Sequence, residues 1–175
     1  MLFRSGRFLN RAKEALPPLE DGIVAPEGFA EWRDIFRIIQ GREVWAHYGA
    51  WMEEHNPPLG PGIKQRMAAA SAITEEEACL AYAKLKTVRA HIRALLPVGT
   101  IALIPTAPTI APRIDASPKS LEGFRANAMA LTSIAGLGSL PQISIPAATV
   151  EGCPAGLSLI GWPDRKSTRL NSSHV

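Results

Sequence analysis

The chain has 175 residues, 46% of them hydrophobic and 20% charged, with a net charge of +3 at pH 7. That length supports one domain whose core needs no disulfide or metal staple, and the composition is that of a globular protein, not a disordered or fibrous one. The positive charge is confined to the ends: residues 1–14 carry +3 and residues 165–175 carry +3, which leaves the long middle at −3.

This distribution offers no basic face interleaved with aromatics, so nothing argues for a nucleic-acid partner. No apolar run approaches the ~18 residues of a membrane span. Cys79 and Cys153 lie far apart and in no metal-ligand spacing, the pattern of reduced thiols in a cytoplasmic protein. The Arg-rich start resembles an organelle transit peptide, but Phe8, Ala12, Ala15 and Leu16 form a helical stripe that runs to Pro17-Pro18. An ordinary first helix is expected there.

Asp21-Gly22 turns the chain into Ile23-Val24-Ala25, a candidate strand, and Pro26 suits the first turn of a long helix. Phe29, Trp32, Ile35, Phe36, Ile38 and Ile39 form one broad apolar face, and the pattern continues through Val44, Trp45, Tyr48 and Trp51 to about Glu54. The last three aromatics read as core. Residues 56–62, NPPLGPG, form a loop, and Ile63–Ala70 a short helix. Thr74 with Glu77 is a capping box; Ala78, Ala81, Leu85, Val88, Ile92 and Leu95 then repeat every three or four residues along a second long helix.

Thr100–Ile104 is a short buried strand. It delivers Pro105, Thr106, Pro108 and Pro112, a stiff extended segment at a strand end, where open α/β sheets place ligands. Ser117 caps a helix through Phe124, Ala128, Leu131 and Ile134, which breaks at Gly136-Leu137-Gly138. Gln142–Ile145 and Leu157–Ile160 read as two strands, a hairpin or a neighbouring pair, with Ile143 and Ile145 facing the core and Gln142 and Ser144 facing away. Strands separated by helices imply an α/β fold with a mixed or parallel sheet. Residues 165–175 have no apolar period and read as a disordered tail that resembles translated adaptor sequence more than protein.

Catalytic patterns are scarce. There is no G-x-S-x-G elbow, and Gly136-Leu137-Gly138-Ser139 lacks a phosphate-loop lysine and reads as a helix stop. Glu43 and His47 share a helix face, but His55 lies two turns on and no fourth donor is spaced for zinc; no metal and no cofactor is expected. Lys64, Arg66 and Lys119 could anchor an anion, yet no spacing singles one out. Nothing assembles a nucleophile, a base and an oxyanion hole, and Ser144 reads as a plain strand serine.

The closing stretch, Leu140-Pro141-Gln142-Ile143-Ser144-Ile145-Pro146 followed by Gly152-Cys153-Pro154-Ala155-Gly156-Leu157-Ser158-Leu159-Ile160-Gly161, resembles the last segment of amidase signature enzymes. Leu103-Ile104-Pro105-Thr106-Ala107-Pro108 with Ala111-Pro112 is similar to that family's strand end. Phe36–Glu43 and Asn56–Arg66 resemble the branch of indoleacetamide-type amidases. The resemblance implies that residues 1–164 are the incomplete C-terminal part of an amidase domain with a mixed sheet flanked by helices. It implies hydrolysis of a small-molecule carboxamide to acid and ammonia by a serine, a second serine in a cis peptide and a lysine. No residue here matches that machinery, so no catalytic residue is assigned and the chain alone is expected to be inactive. Thr106, Pro108 and Trp51 are the expected pocket wall, and a sheet edge and an apolar face should lack their partner. The alternative is a non-enzymatic binding or regulatory module derived from half an amidase. Substrate identity and oligomeric state stay open.

Overall fold

Residues 24, 25 and 28–163 are described by the structure, a computed structural model. The elements are α1 (Phe29–His55), α2 (Pro61–Ser71), α3 (Glu75–Leu95), β1 (Ile101–Pro105), α4 (Pro118–Gly138), β2 (Gln142–Val150) and β3 (Cys153–Gly161). The expected helix at 8–16, Ile23, Pro26 and the tail at 165–175 lie outside the described residues. Val24 and Ala25 are not in a strand. Instead the Val24 carbonyl meets a ring nitrogen of His91 at 3.1 Å, and that bond ties the start of the described chain to α3.

Local chemistry explains the helix ends. At the end of α1, Asn56 takes a left-handed conformation (φ 40°) with its N–H on the Met52 carbonyl, and Pro57-Pro58 forbids continuation. The capping box of α3 is complete: Thr74 Oγ1 accepts from the Glu77 N–H at 3.1 Å, and Glu77 Oε2 accepts from the Thr74 N–H at 2.9 Å. The Thr74 backbone bond, then the Thr74 side chain, holds the Glu77 carboxyl below its ordinary value of 4.5.

A depressed folded-state value means that this stabilisation is complete above the ordinary value and is lost as pH falls through the folded one. Thr74→Ala should therefore cost about 1 kcal/mol near neutral pH. Glu77→Gln should keep the helix but remove its share of the acid dependence, as read from circular dichroism melts taken between pH 3 and 7. An unchanged acid limb in Glu77→Gln would sink this account.

Helix α4 is capped by Ser117, whose Oγ accepts from the Ser120 N–H at 3.2 Å. Its end falls at the last residue of the expected Gly136-Leu137-Gly138 break. The helix runs through Gly138 and stops at Ser139 in a left-handed conformation, φ 51°. Gly136 instead permits close packing, since a Cβ there would lie 2.6 Å from Phe36 Cε2 of α1. Two arginines of α3 serve the carbonyl end of α4: Arg89 Nε donates to the Leu137 oxygen at 2.8 Å and Arg93 Nε to the Gly138 oxygen at 2.9 Å. They place positive charge at the negative end of the helix dipole.

The strands form one sheet in the order β1-β3-β2. Glu151 and Gly152, at φ 51° and 76°, make the two-residue turn of the expected β2–β3 hairpin. Both β1 and β2 run antiparallel to β3, so they run parallel to each other, with α4 crossing between them. The α/β reading holds, but every neighbouring pair among the described strands is antiparallel, because β3 returns through the tight turn and inserts between the other two. β2 is an edge strand of this sheet, which tolerates Pro146 and a bulge beside it.

One face of the sheet is covered. Ile104 and Ile160, with Ala102 beside them, pack against Trp32, Ile35 and Ile39 of α1, Val88 and Ile92 of α3, and Ile134 and Leu137 of α4. The other face carries the cross-strand rows Leu103–Leu159–Ile143 and Pro105–Leu157–Ile145, with Ile101 at its corner. It is open at one end, where Ile101 and Ile143 are 60% and 61% exposed, while Leu157 farther along is buried. This reverses the expected facing of β2. Gln142 pairs with the buried Ile160 and Ser144 with Ser158, so the polar residues lie on the helix side and the isoleucines point outward.

A second correction concerns α1. Tyr48 and Trp51, read as core, are half exposed. The neighbouring helices bury Trp32, Ile35 and Ile39 in its first half, while the second half of a helix about 40 Å long reaches past them.

Candidate functional site

Thr106 leaves the end of β1 with its N–H bonded to the Gly156 carbonyl at 3.1 Å. This bond carries the pairing of β1 with β3 one step beyond the strand and turns the Thr106 side chain over β3. Its Oγ1 lies 2.8 Å from Ser144 Oγ on β2 and 2.9 Å from Ser158 Oγ on β3. Gln142 Nε2 donates to the same Ser158 oxygen at 2.8 Å. Ser158 is fully buried and Ser144 is exposed, so the cluster leads from the interior to the surface. Gly156 makes room for it: a Cβ there would sit 2.9 Å from Thr106 Oγ1 and 3.1 Å from Ser144 Oγ.

Beyond Thr106 the chain bends through residues 106–110 instead of running on in an extended form. Pro108 is buried and, with Thr109, Pro112, Ser120, Phe124 and Asn127, lines a cleft of about 190 Å³ between this segment and α4. Farther along the same segment the Arg113 guanidinium holds the Asp115 carboxyl below the usual carboxylate range.

Thr106 and Pro108 thus stand at one strand end, one in the hydroxyl cluster and one in the cleft wall. Trp51 joins neither set. It is stacked on His55 on α1, ring centroids 5.3 Å apart. The residues weighed as metal donors also point to separate partners. Glu43 accepts from the Tyr82 hydroxyl at 3.4 Å; burial, and after it the Glu43 carboxylate, raises the Tyr82 pKa, and His47 packs edge-on against Tyr48.

Among the described residues no hydroxyl or thiol is hydrogen-bonded to a histidine or lysine base; Ser71, Thr109, Thr132 and Ser133 bond to backbone carbonyls. The chemistry available at the Thr106 end of the sheet is hydrogen bonding and apolar contact, not nucleophile activation. The sequence singles out Thr106 and Pro108 as expected pocket wall and reads Ser144 as a plain strand serine; Gln142, Gly156 and Ser158 join Thr106 only in the structure. Alternate polar positions on β2 were the available signal. Joining them to Ser158 required the register.

No family model matches the chain. The fold is that of amidase signature enzymes. It superposes on the crystal structure of an amidase with a TM-score of 0.72 at 23% identity, covering 90% of this chain and 37% of that one. It superposes on a bacterial aryl acylamidase of the amidase signature family with a TM-score of 0.66 at 18% identity, covering 93% and 36%. In sequence the chain is 32% identical to Amidase 1 of Arabidopsis thaliana over 124 residues, 71% of this chain and 29% of the relative. The homologues of this chain are therefore amidase signature proteins, and the chain spans about 29% of the length of the curated relative it matches. No helix among the described residues is long and apolar enough to cross a membrane.

Proposed function

We propose that this chain is the C-terminal part of a cytoplasmic amidase that hydrolyses a small-molecule carboxamide to a carboxylic acid and ammonia. In this reading the Ser–cis-Ser–Lys machinery belongs to polypeptide outside these residues, and the chain alone is inactive. Thr106 and Pro108 form pocket wall at the end of β1, with Trp51 as a more distant contributor. The observation that carries the reading is the open apolar face of the sheet, with Ile101 and Ile143 about three-fifths exposed, on a chain that spans less than a third of its relative's length. A protein this size with a finished fold rarely leaves one face of a sheet greasy and bare.

Two measurements test it. The purified chain, incubated with simple aryl and alkyl amides, should release no ammonia above the buffer rate; turnover would place a reactive centre within the chain. Reading the genomic sequence upstream of Met1 should reveal a continuous frame encoding a Gly/Ser-rich loop and a lysine-bearing strand. A stop codon and ribosome-binding site directly before Met1 would instead favour the non-enzymatic module.

A further inference from the structure

The hydroxyl cluster at the end of β1 admits a head-to-tail order of donors. Each hydroxyl has one proton to give and two lone pairs to accept with. Ser158 is fully buried, and its oxygen accepts from Gln142 Nε2 at 2.8 Å. Its proton can go to its other partner, Thr106 Oγ1, 2.9 Å away. Thr106 Oγ1 can in turn donate to Ser144 Oγ, at 2.8 Å. In that order the donors run Gln142 to Ser158 to Thr106 to Ser144, and the last is an exposed hydroxyl whose proton is left for a ligand. Hydrogen bonds arranged head to tail polarise one another, so the last donor is a stronger one than an isolated serine.

We propose that Ser144 is a ligand-binding residue whose Oγ–H donates to the carbonyl oxygen of a bound amide, and that Thr106, Ser158 and Gln142 are positioning residues acting through it. This deepens the amidase reading and rests on it for the ligand class. In that order Thr106 gives its proton to Ser144, so the contact with ligand passes to Ser144. The four side chains of the cluster are uncharged, which suits a neutral amide oxygen. The cleft lined by Pro108 and Phe124 lies along the segment that follows Thr106 and is where the apolar group attached to that carbonyl would sit.

The test uses the full chain, uniformly labelled with nitrogen-15, titrated with benzamide and separately with benzylamine, which has the same ring and no oxygen acceptor. Benzamide should shift the backbone amides of residues 106, 144 and 156, and benzylamine should not. Ser144→Ala should weaken benzamide binding about tenfold, and Ser144→Thr, which keeps a donor, should restore most of it. Thr106→Val, which cuts the relay without touching the last hydroxyl, should weaken binding about threefold, with Thr106→Ser restoring it. The proposal is overturned if benzamide leaves these amides unshifted, if benzylamine shifts them equally, or if Ser144→Ala binds benzamide as tightly as the parent chain. The amidase reading falls on a different result, a stop codon directly upstream of Met1, so the two failures are told apart.

Discussion

Replacing Trp32 with alanine is expected to lower the unfolding free energy by about 3–5 kcal/mol, a third or more of what a typical domain possesses. Trp32 is completely buried and is the largest of the α1 side chains, with Ile35 and Ile39, that enter the core. Its ring stands edge-on to Phe29 at 6.3 Å and to His91 of α3 at 6.0 Å. His91 is itself fixed by the Val24 carbonyl, so it cannot swing in to fill the space. The cavity would stay open, and the cost of a core truncation rises with residual cavity volume. Urea denaturation followed by circular dichroism gives the number. Trp51→Ala on the same helix is the control. With Trp51 half exposed and stacked only on its neighbour His55, its removal should fall within about 0.5–1 kcal/mol of the parent. Equal losses for the two would mean that the first half of α1 is not the anchor described.

The different depths of those two tryptophans mark the limit of what periodicity can convey. Spacing of three and four residues places Trp32 and Trp51 on a common kind of helical stripe, and the sequence locates the described helices and their caps at Thr74 and Ser117 well, but it stops the last two strands short: they run Gln142–Val150 and Cys153–Gly161, through Pro146 and Pro154. Periodicity says which residues share a face; it does not say whether another element arrives to cover it. Burial of Trp32 depends on α3 and α4, and nothing local to residue 51 reports that they end short of it. The same gap explains the inverted face of β2. Alternation made Ile143 and Ile145 one set and Gln142 and Ser144 the other, but the choice of inward set was made by pairing with β3, where Ile160 and Ser158 turn toward the helices. The site was half legible for a related reason. Thr106 and Pro108 stand out as a strand end rich in proline, whereas the cluster that gives Thr106 its partners is assembled from three strands and exists only once their register is set.

The two faces of the sheet should answer a charge in opposite ways. Ile160→Glu places a carboxylate among Trp32, Ile92 and Ile134, and burying a charge in an apolar core is expected to cost several kcal/mol and unfold the chain. Ile143→Glu puts the same group on the outer face, one register position from Ile160 but on the opposite side of the sheet, and stability should change by no more than about 0.5 kcal/mol. The outer substitution has a second signature. An open patch built from Leu103, Leu159, Ile143 and Ile145 should bind an apolar fluorescent dye and promote self-association of the folded chain, and Ile143→Glu should reduce both. If Ile143→Glu were as damaging as Ile160→Glu, the outer face would be covered in solution, and the sheet would be a finished layer and not the exposed half of a larger one. That outcome would remove the physical support for the proposal that the catalytic groups lie outside these residues, because the need for a further covering layer is what that proposal draws from the exposed face.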